Sequence, residues 1–257
     1  HLKMEFFFDM NISKLYNIFK EYPSISTDSR NIKKDSLFFA LKGENFNGNK
    51  FAHEAINKGC KYAVIDEKES KITGNFILVD NVLKTLQQLA SFHRENLKIP
   101  IIAITGTNGK TTSKELITFC LSSELETAYT EGNYNNHIGV PLTLLEINDK
   151  HEIGIIEMGA NHKNEISFLC ELAKPNYGVI TNIGKAHLEG FKSFEGVKST
   201  KKELYDYIKK NNGIIFLNND DKTLNEISKN IKSITYGKKG DVMGEEINSS
   251  VYTGVLF

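Results

Sequence analysis

The sequence predicts an α/β fold in two parts, a small N-terminal α/β unit followed by a larger unit built on a parallel sheet. Three observations carry that prediction. Short, almost wholly apolar strands alternate with helical periods along the chain, and such strands call for a parallel sheet covered on both faces. A glycine-rich turn, Thr105-Gly106-Thr107-Asn108-Gly109-Lys110-Thr111-Thr112, leaves one of these strands and opens a helix. Pro100 begins a much more apolar strand than any before it, which sets the boundary at about 97–99 and the two units at residues 1–97 and 98–257.

In the first unit, NISKLYNIFKEY reads as a helix with Ile12, Leu15, Tyr16 and Phe19 on one face,. LFFALK (37–42), YAVID (62–66) and FILV (76–79) read as buried strands. KFAHEAINKG reads as a helix closed by Gly59, and VLKTLQQLASFHREN (82–96) as an amphipathic helix leading out,. In the second unit the strands are IIAIT (101–105), ETAYT (126–130), IGIIEM (153–158), YGVITNI (177–183) and GIIFLN (213–218). Helical periods fall at about 110–123, 138–146, 162–173 and 195–210. SITYG and SVYTGVLF are strand-like, and the chain reaches Phe257 without a closing helix or polar tail, which reads as an ending inside a unit.

With 257 residues, 40% hydrophobic and 25% charged, the composition is globular and excludes wholesale disorder,. Lys+Arg 32 against Asp+Glu 32 excludes a nucleic-acid binder with an all-basic surface,. The basic residues are lysines except Arg30 and Arg94. No apolar run reaches the roughly 20 residues of a membrane helix, and HLKMEFFFDM is too short and acidic for a signal peptide,. Cys60, Cys120 and Cys170 fit neither a disulfide framework nor a zinc site and are expected to be reduced core residues of a cytoplasmic protein,.

The strand–turn–helix context makes the glycine turn a phosphate loop. Its glycines admit close backbone approach, and the helix N-terminus faces an anion. Lys110 adds positive charge near a transferred phosphoryl group, and the Thr111 hydroxyl can ligate the magnesium of a nucleotide. Ile104 stands where the usual longer motif has its first glycine, so the loop is a shortened variant. Glu157 ends the strand IGIIEM beside the loop, placed to hold Mg2+,. His187 follows the next strand in a similar way, although a lone histidine is more often structural. Asn135 and Asn136 lie in an Asn-rich turn, on composition alone most often just a turn, placed to reach over the nucleotide end of the sheet.

The short loop G-T-N-G-K-T-T resembles that of the Mur ligase superfamily, whose members use ATP to join an amino acid or peptide to a carboxylate. NYNNHIGVPLTLLE, EMGANHKNEISFL, AKPNYGVITNIGKAHLEGF and GVKSTKKELY are similar to one branch, the MurF type, from about residue 26 to the C-terminus. That resemblance implies an ATP- and Mg2+-dependent ligase adding D-Ala-D-Ala to UDP-N-acetylmuramoyl-tripeptide through an acyl phosphate, for peptidoglycan and hence cell-wall biogenesis, cell shape and division. It implies that Gly106, Thr107, Asn108, Gly109, Lys110, Thr111, Thr112, Asn135 and Asn136 hold the nucleotide. Thr111 and Glu157 would ligate one Mg2+ and His187 a second. Lys201, in the segment Ser199-Thr200-Lys201-Lys202-Glu203-Leu204, would be carbamylated into a further metal ligand. Lys110, His187 and Lys201 would be the catalytic set. Asp28, Ser29 and Arg30, with Asn45 and Asn47, would hold the UDP part of the substrate in the first unit, although Asn47 stands where the family commonly has Asp.

A monomer without membrane insertion is expected, and the resemblance implies a third, C-terminal domain absent from this chain. The polypeptide alone is then expected to bind weakly and turn over poorly. A related ligase adding another amino acid, and a non-catalytic nucleotide-binding remnant, are the alternative readings.

Overall fold

A computed structural model describes residues 11–68, 75–184, 191, 193–248 and 253–256. The chain divides into two compact units, one of residues 1–97 with 144–148 and the other of 98–143 with 149–257.

The first unit runs α1 (Ile12–Glu21), β1 (Ile25–Ser26), β2 (Leu37–Phe39), β3 (Lys42–Gly43), β4 (Phe46–Asn47), α2 (Ala52–Asn57), β5 (Tyr62–Ile65), β6 (Phe76–Leu78) and α3 (Val82–Asn96). Its sheet is parallel throughout, in the order β1-β2-β5-β6. Asn11 and Asn81 cap α1 and α3 by accepting the N–H groups of Lys14 and Lys84,. Leu15 and Phe19 of α1 are buried, as the helical period predicts, and Tyr16 meets Phe92 edge-on and His93 Nδ1 through its hydroxyl. Phe38, Ala52, Ala55, Ala63, Ile65 and Phe76 form a core between the sheet and α2. Gly59, at φ +103, closes α2,.

The second unit runs β7 (Ile101–Thr105), α4 (Lys110–Leu121), β8 (Thr127–Tyr129), α5 (Gly139–Glu146, of which residues 144–146 count with the first unit), β9 (Ile153–Glu157), α6 (Glu165–Ala173), β10 (Tyr177–Ile180), α7 (Phe194–Lys210), β11 (Ile214–Asn218), α8 (Lys222–Ile227) and β12 (Ser233–Tyr236). An antiparallel pair, β13 (Glu245–Asn248) and β14 (Thr253–Leu256), follows. The six-stranded sheet is parallel, in the order β12-β11-β10-β7-β9-β8. β7 and β9 are buried on both faces, which explains their unbroken apolar text,. The chain leaves β7 for the β8 edge, returns to β9, then crosses to β10 on the other side. Such a reversal opens a crevice at the carboxyl ends of the central strands.

The expected α/β architecture with parallel sheets is present, with local corrections. LFFALK is not one strand: β2 stops at Phe39, and Leu41 accepts the N–H of Gly48 to begin the β3–β4 hairpin. YGVITNI stops at Ile180: Thr181 still donates its N–H to the Thr105 carbonyl, but its hydroxyl and the Asn182 amide are turned to the glycine turn. The hairpin strands, two residues each, and the six-residue α8 are too short to show a period,. Cys60 and Cys170 are buried, but Cys120 is exposed. α4 turns Lys114 and Thr118 inward, which leaves Leu116, Phe119 and Cys120 on its outer face,. Among the described residues no helix is long and apolar enough to cross a membrane.

Candidate nucleotide and metal site

The glycine turn lies at the carboxyl end of β7, the middle of the sheet. Gly109 caps α4 at φ +74, and Gly106 sits at φ +150, where a Cβ would come within 2.0 Å of Thr181 Oγ1. Only glycine combines that conformation with that approach. The residues after β10 brace the turn from the side. Thr107 N–H donates to the Asn182 carbonyl and Asn108 N–H to Asn182 Oδ1, while Thr181 Oγ1 and Asn182 Nδ2 both donate to the Asn108 carbonyl. Gly184 N–H donates to Thr107 Oγ1. Lys110 Nζ folds over the turn, 3.0 Å from the Gly106 carbonyl and 3.1 Å from that of Thr107. Burial lowers its pKa, and the charge of Glu157 opposes that shift,.

Glu157 ends β9 and is 1% exposed. Its carboxylate accepts the Thr111 hydroxyl at 2.9 Å and the Asn135 amide at 2.8 Å. Asn135 is itself held in place, since its carbonyl accepts Gly159 N–H. Asn136 accepts the N–H groups of Ile138 and Gly139 and so caps α5. Hard oxygen donors from Glu157 and Thr111 suit Mg2+, which takes one or two carboxylates and completes its shell with phosphate oxygens and water. That donor set does not require several protein carboxylates, and among the described residues no group of three or more His, Cys, Asp and Glu gathers.

Beside the turn opens a cavity of about 390 Å³ lined by Lys110, Asn135, His137, His162, Glu165 and Lys201, among others. Lys201 reaches it from α7 and is 3% exposed, whereas Lys202 faces solvent and pairs with Asp206. Burial, with the nearby positive charge of Lys110, pushes the Lys201 amine down to about 8, against the pull of Glu203 and Glu165,. Both carboxylates also tie down the start of α6 and the residues before it. Glu203 accepts the N–H groups of Asn164 and Ser167, and Glu165 those of Asn161 and His162. Two lysines facing one cavity next to a buried carboxylate suit an anionic ligand carried with a divalent cation,.

The structure thus brings together Gly106, Thr107, Asn108, Gly109, Lys110, Thr111, Asn135, Asn136, Glu157 and Lys201. Thr112 is exposed on the first turn of α4. His187 lies outside the described residues. In the first unit, Arg30 does not present a vacant fork. Its Nε and Nη2 clasp the Asp28 carboxylate, which they hold down to about 2,. Ser29 is buried, with its carbonyl bound by Lys58. Asn47 is spent on the hairpin, accepting from Asn49 and donating to Glu67, while Asn45 is exposed. The bracing residues Thr181 and Asn182, and Thr130, whose hydroxyl accepts Glu157 N–H, were not legible as site residues. Each is a small polar residue at a strand end, a position that usually marks only a turn.

A lysine-bearing glycine turn, a strand-end carboxylate and a helix hydroxyl converging at the switch point define an α/β protein of the phosphate-loop class. The chain belongs to the Mur ligase family: the Mur ligase middle domain matches residues 104–254, and the Mur ligase family catalytic domain matches residues 21–94. Among its relatives is the UDP-N-acetylmuramoyl-tripeptide–D-alanyl-D-alanine ligase of Haemophilus influenzae, 41% identical over 198 residues, covering 76% of this chain and 43% of that protein. The Bacillus subtilis enzyme of the same name is 36% identical over 228 residues, covering 88% of this chain and 50% of its own length. The chain therefore spans about half the length of these relatives. The chain is also similar to solved structures, two MurF proteins among them. MurF ligase from Thermotoga maritima in complex with ADP has a TM-score of 0.80 at 30% identity, covering 90% of this chain and 54% of that one. MurF from Acinetobacter baumannii has a TM-score of 0.79 at 31% identity, covering 91% and 54%.

Proposed function

We propose that this chain is the N-terminal and central part of an ATP-dependent ligase that joins D-Ala-D-Ala to UDP-N-acetylmuramoyl-tripeptide in the cytoplasm. The observation that carries the reading is that Lys110, Asn135 and Lys201 line one cavity, while Asn135 and Thr111 both donate to the Glu157 carboxylate beside it. The relatives named for that activity, and the similarity to a MurF ligase solved with ADP, support it. Residues 1–97 would hold the UDP end of the substrate through Asp28, Ser29 and Arg30, and residues 98–257 would hold ATP.

The reaction crowds a triphosphate, a substrate carboxylate and an incoming amine into one cleft. The glycine turn would donate backbone N–H groups to the phosphates, and Lys110 would exchange its loop carbonyls for phosphate oxygens. Thr111 and Glu157 would hold Mg2+, which offsets the charge of the phosphates as the acyl phosphate forms. Lys201 would serve once carbamylated: its neutral Nζ attacks CO2, the N–C bond forms, and the released proton goes to solvent. A carbamate at that position turns a cation into an oxygen ligand facing the same cavity. Asn135 would keep the Glu157 carboxylate turned toward Thr111. The contribution of His187, a second metal ligand by resemblance, belongs to the same proposal. By the resemblance, the amine-binding half of the reaction would fall to a C-terminal domain, and this chain spans about half the length of its relatives.

Calorimetric titration with UDP-N-acetylmuramoyl-tripeptide, with and without Mg2+ and a non-hydrolysable ATP analogue, tests the proposal. Saturable binding is expected, weakened at least about tenfold in Arg30→Ala, whose clasp on Asp28 shapes the loop. Absence of binding by a demonstrably folded chain would overturn it. A panel of amine acceptors, with the remaining domain supplied in trans, separates it from a ligase for another amino acid, and light scattering checks the expected monomer.

A further inference from the structure

Lys114 is fully buried, although Thr111, Thr112 and Glu115 on the same helix face solvent. Its ammonium donates to the Thr130 carbonyl at 2.6 Å, pairs with Glu115 Oε1 at 2.7 Å, and stands 5.5 Å from the centre of the Tyr129 ring. Burying an ammonium is costly, and a methionine would fill similar space, so packing alone gives no reason for lysine here. The reason lies in what Thr130 does. Thr130 is also fully buried, and each of its polar groups is engaged. Its N–H donates to the Ile155 carbonyl, its carbonyl accepts from Lys114, and its hydroxyl accepts Glu157 N–H at 3.0 Å. A continuous run of hydrogen bonds therefore leads from Lys114 through Thr130 to the backbone of Glu157. From there the carboxylate is presented to Thr111 and Asn135.

We infer that Lys114 and Thr130 are positioning residues for Glu157, and set how tightly the chain holds a divalent cation at that carboxylate. The inference rests on the proposed metal role of Glu157. Loss of the Thr130 hydroxyl leaves the Glu157 N–H buried without an acceptor, and loss of the Lys114 ammonium frees the carbonyl that anchors the end of β8. In either case the groups that contact the cation stay chemically the same, and only their support is lost. Supporting bonds of this kind typically change metal affinity by about 10–100-fold.

The test uses the 257-residue chain with Mn2+ as the probe, titrated by electron paramagnetic resonance in the presence of a non-hydrolysable ATP analogue. Thr130→Val and Lys114→Met are expected to weaken Mn2+ uptake about tenfold or more. Thr130→Ser, which keeps the hydroxyl, stays within about twofold of wild type. Amide exchange at Glu157, which reads the hydrogen bond rather than the metal, is expected to accelerate in Thr130→Val and Lys114→Met but not in Thr130→Ser. Wild-type Mn2+ affinity and wild-type exchange in both disruptive variants would overturn the inference, and so would an equal loss in Thr130→Ser. A wild-type chain that takes up no Mn2+ would overturn the metal reading of Glu157 and this inference together. Uptake by wild type that the variants leave unchanged overturns the positioning role alone. Should Lys114→Met fail to fold, the Thr130 pair decides.

Discussion

Lys201 combines near-complete burial with an amine held down to about 8, and two expectations follow from that pairing. Carbamylation needs the neutral amine, so the carbamate should increase as pH rises from 6 through 8. A 13C-bicarbonate resonance would report it, lost in Lys201→Met and retained in Lys202→Met. The second expectation concerns stability. The folded pKa lies below the unfolded one, so the unfolded chain binds the extra proton between about 8 and 10.4, and stability rises with pH across that window. Below it the ammonium is a standing cost. Lys201→Met should therefore stabilise the unliganded chain at pH 7, in CO2-free buffer, by about 1–3 kcal/mol, as denaturant unfolding would measure. Arg30 is the opposite case. Its fork was legible as an anion ligand from its rarity in a lysine-rich chain, but not its use, because nothing in the text Asp28-Ser29-Arg30 says that the guanidinium turns back two residues.

At the scale of the element, the turn between β7 and α4 depends on glycine in a way that substitution can measure. A Cβ at Gly106 would collide with Thr181 Oγ1 and hold a strained φ, so Gly106→Ala should cost about 1–3 kcal/mol and weaken ATP-analogue binding about tenfold or more. Gly43→Ala, where nothing lies within 4 Å, should stay within about 0.5 kcal/mol of wild type. The strand–turn–helix text made this element legible, as did the period of α1, α3 and α7. What remained illegible has a physical cause in each instance. β10 ends early because Thr181 and Asn182 turn to the loop, a choice made by a segment some 75 residues earlier in the chain,. Cys120 looked like core because α4 carries apolar residues on two faces, and only packing decides which one the sheet covers. Lys114 was invisible for the same reason, since a lysine on a helix is ordinarily solvated.

At the scale of the whole molecule, each unit has a core of its own, Phe38 and Phe76 in one and Ile104 and Ile155 in the other. Phe38→Ala should destabilise the first unit by about 3–5 kcal/mol. If the proposed division of labour holds, it should impair binding of the UDP-substrate and leave ATP-analogue affinity, proposed for the second unit, within about twofold. Unfolding followed separately by substrate and by nucleotide titration would show it. The order of strands in the larger sheet has a consequence for how the chain is made. β7 lies between β9 and β10, which are encoded about 50 and about 75 residues after it,. During synthesis the strand Ile-Ile-Ala-Ile-Thr leaves the ribosome long before either neighbour exists, with both of its edges open and five residues that will end fully buried,. The apolar character that lets β7 carry the glycine turn in the centre of the sheet is thus also a hazard while the chain is being translated, and the window of exposure closes only when Ile180 has emerged.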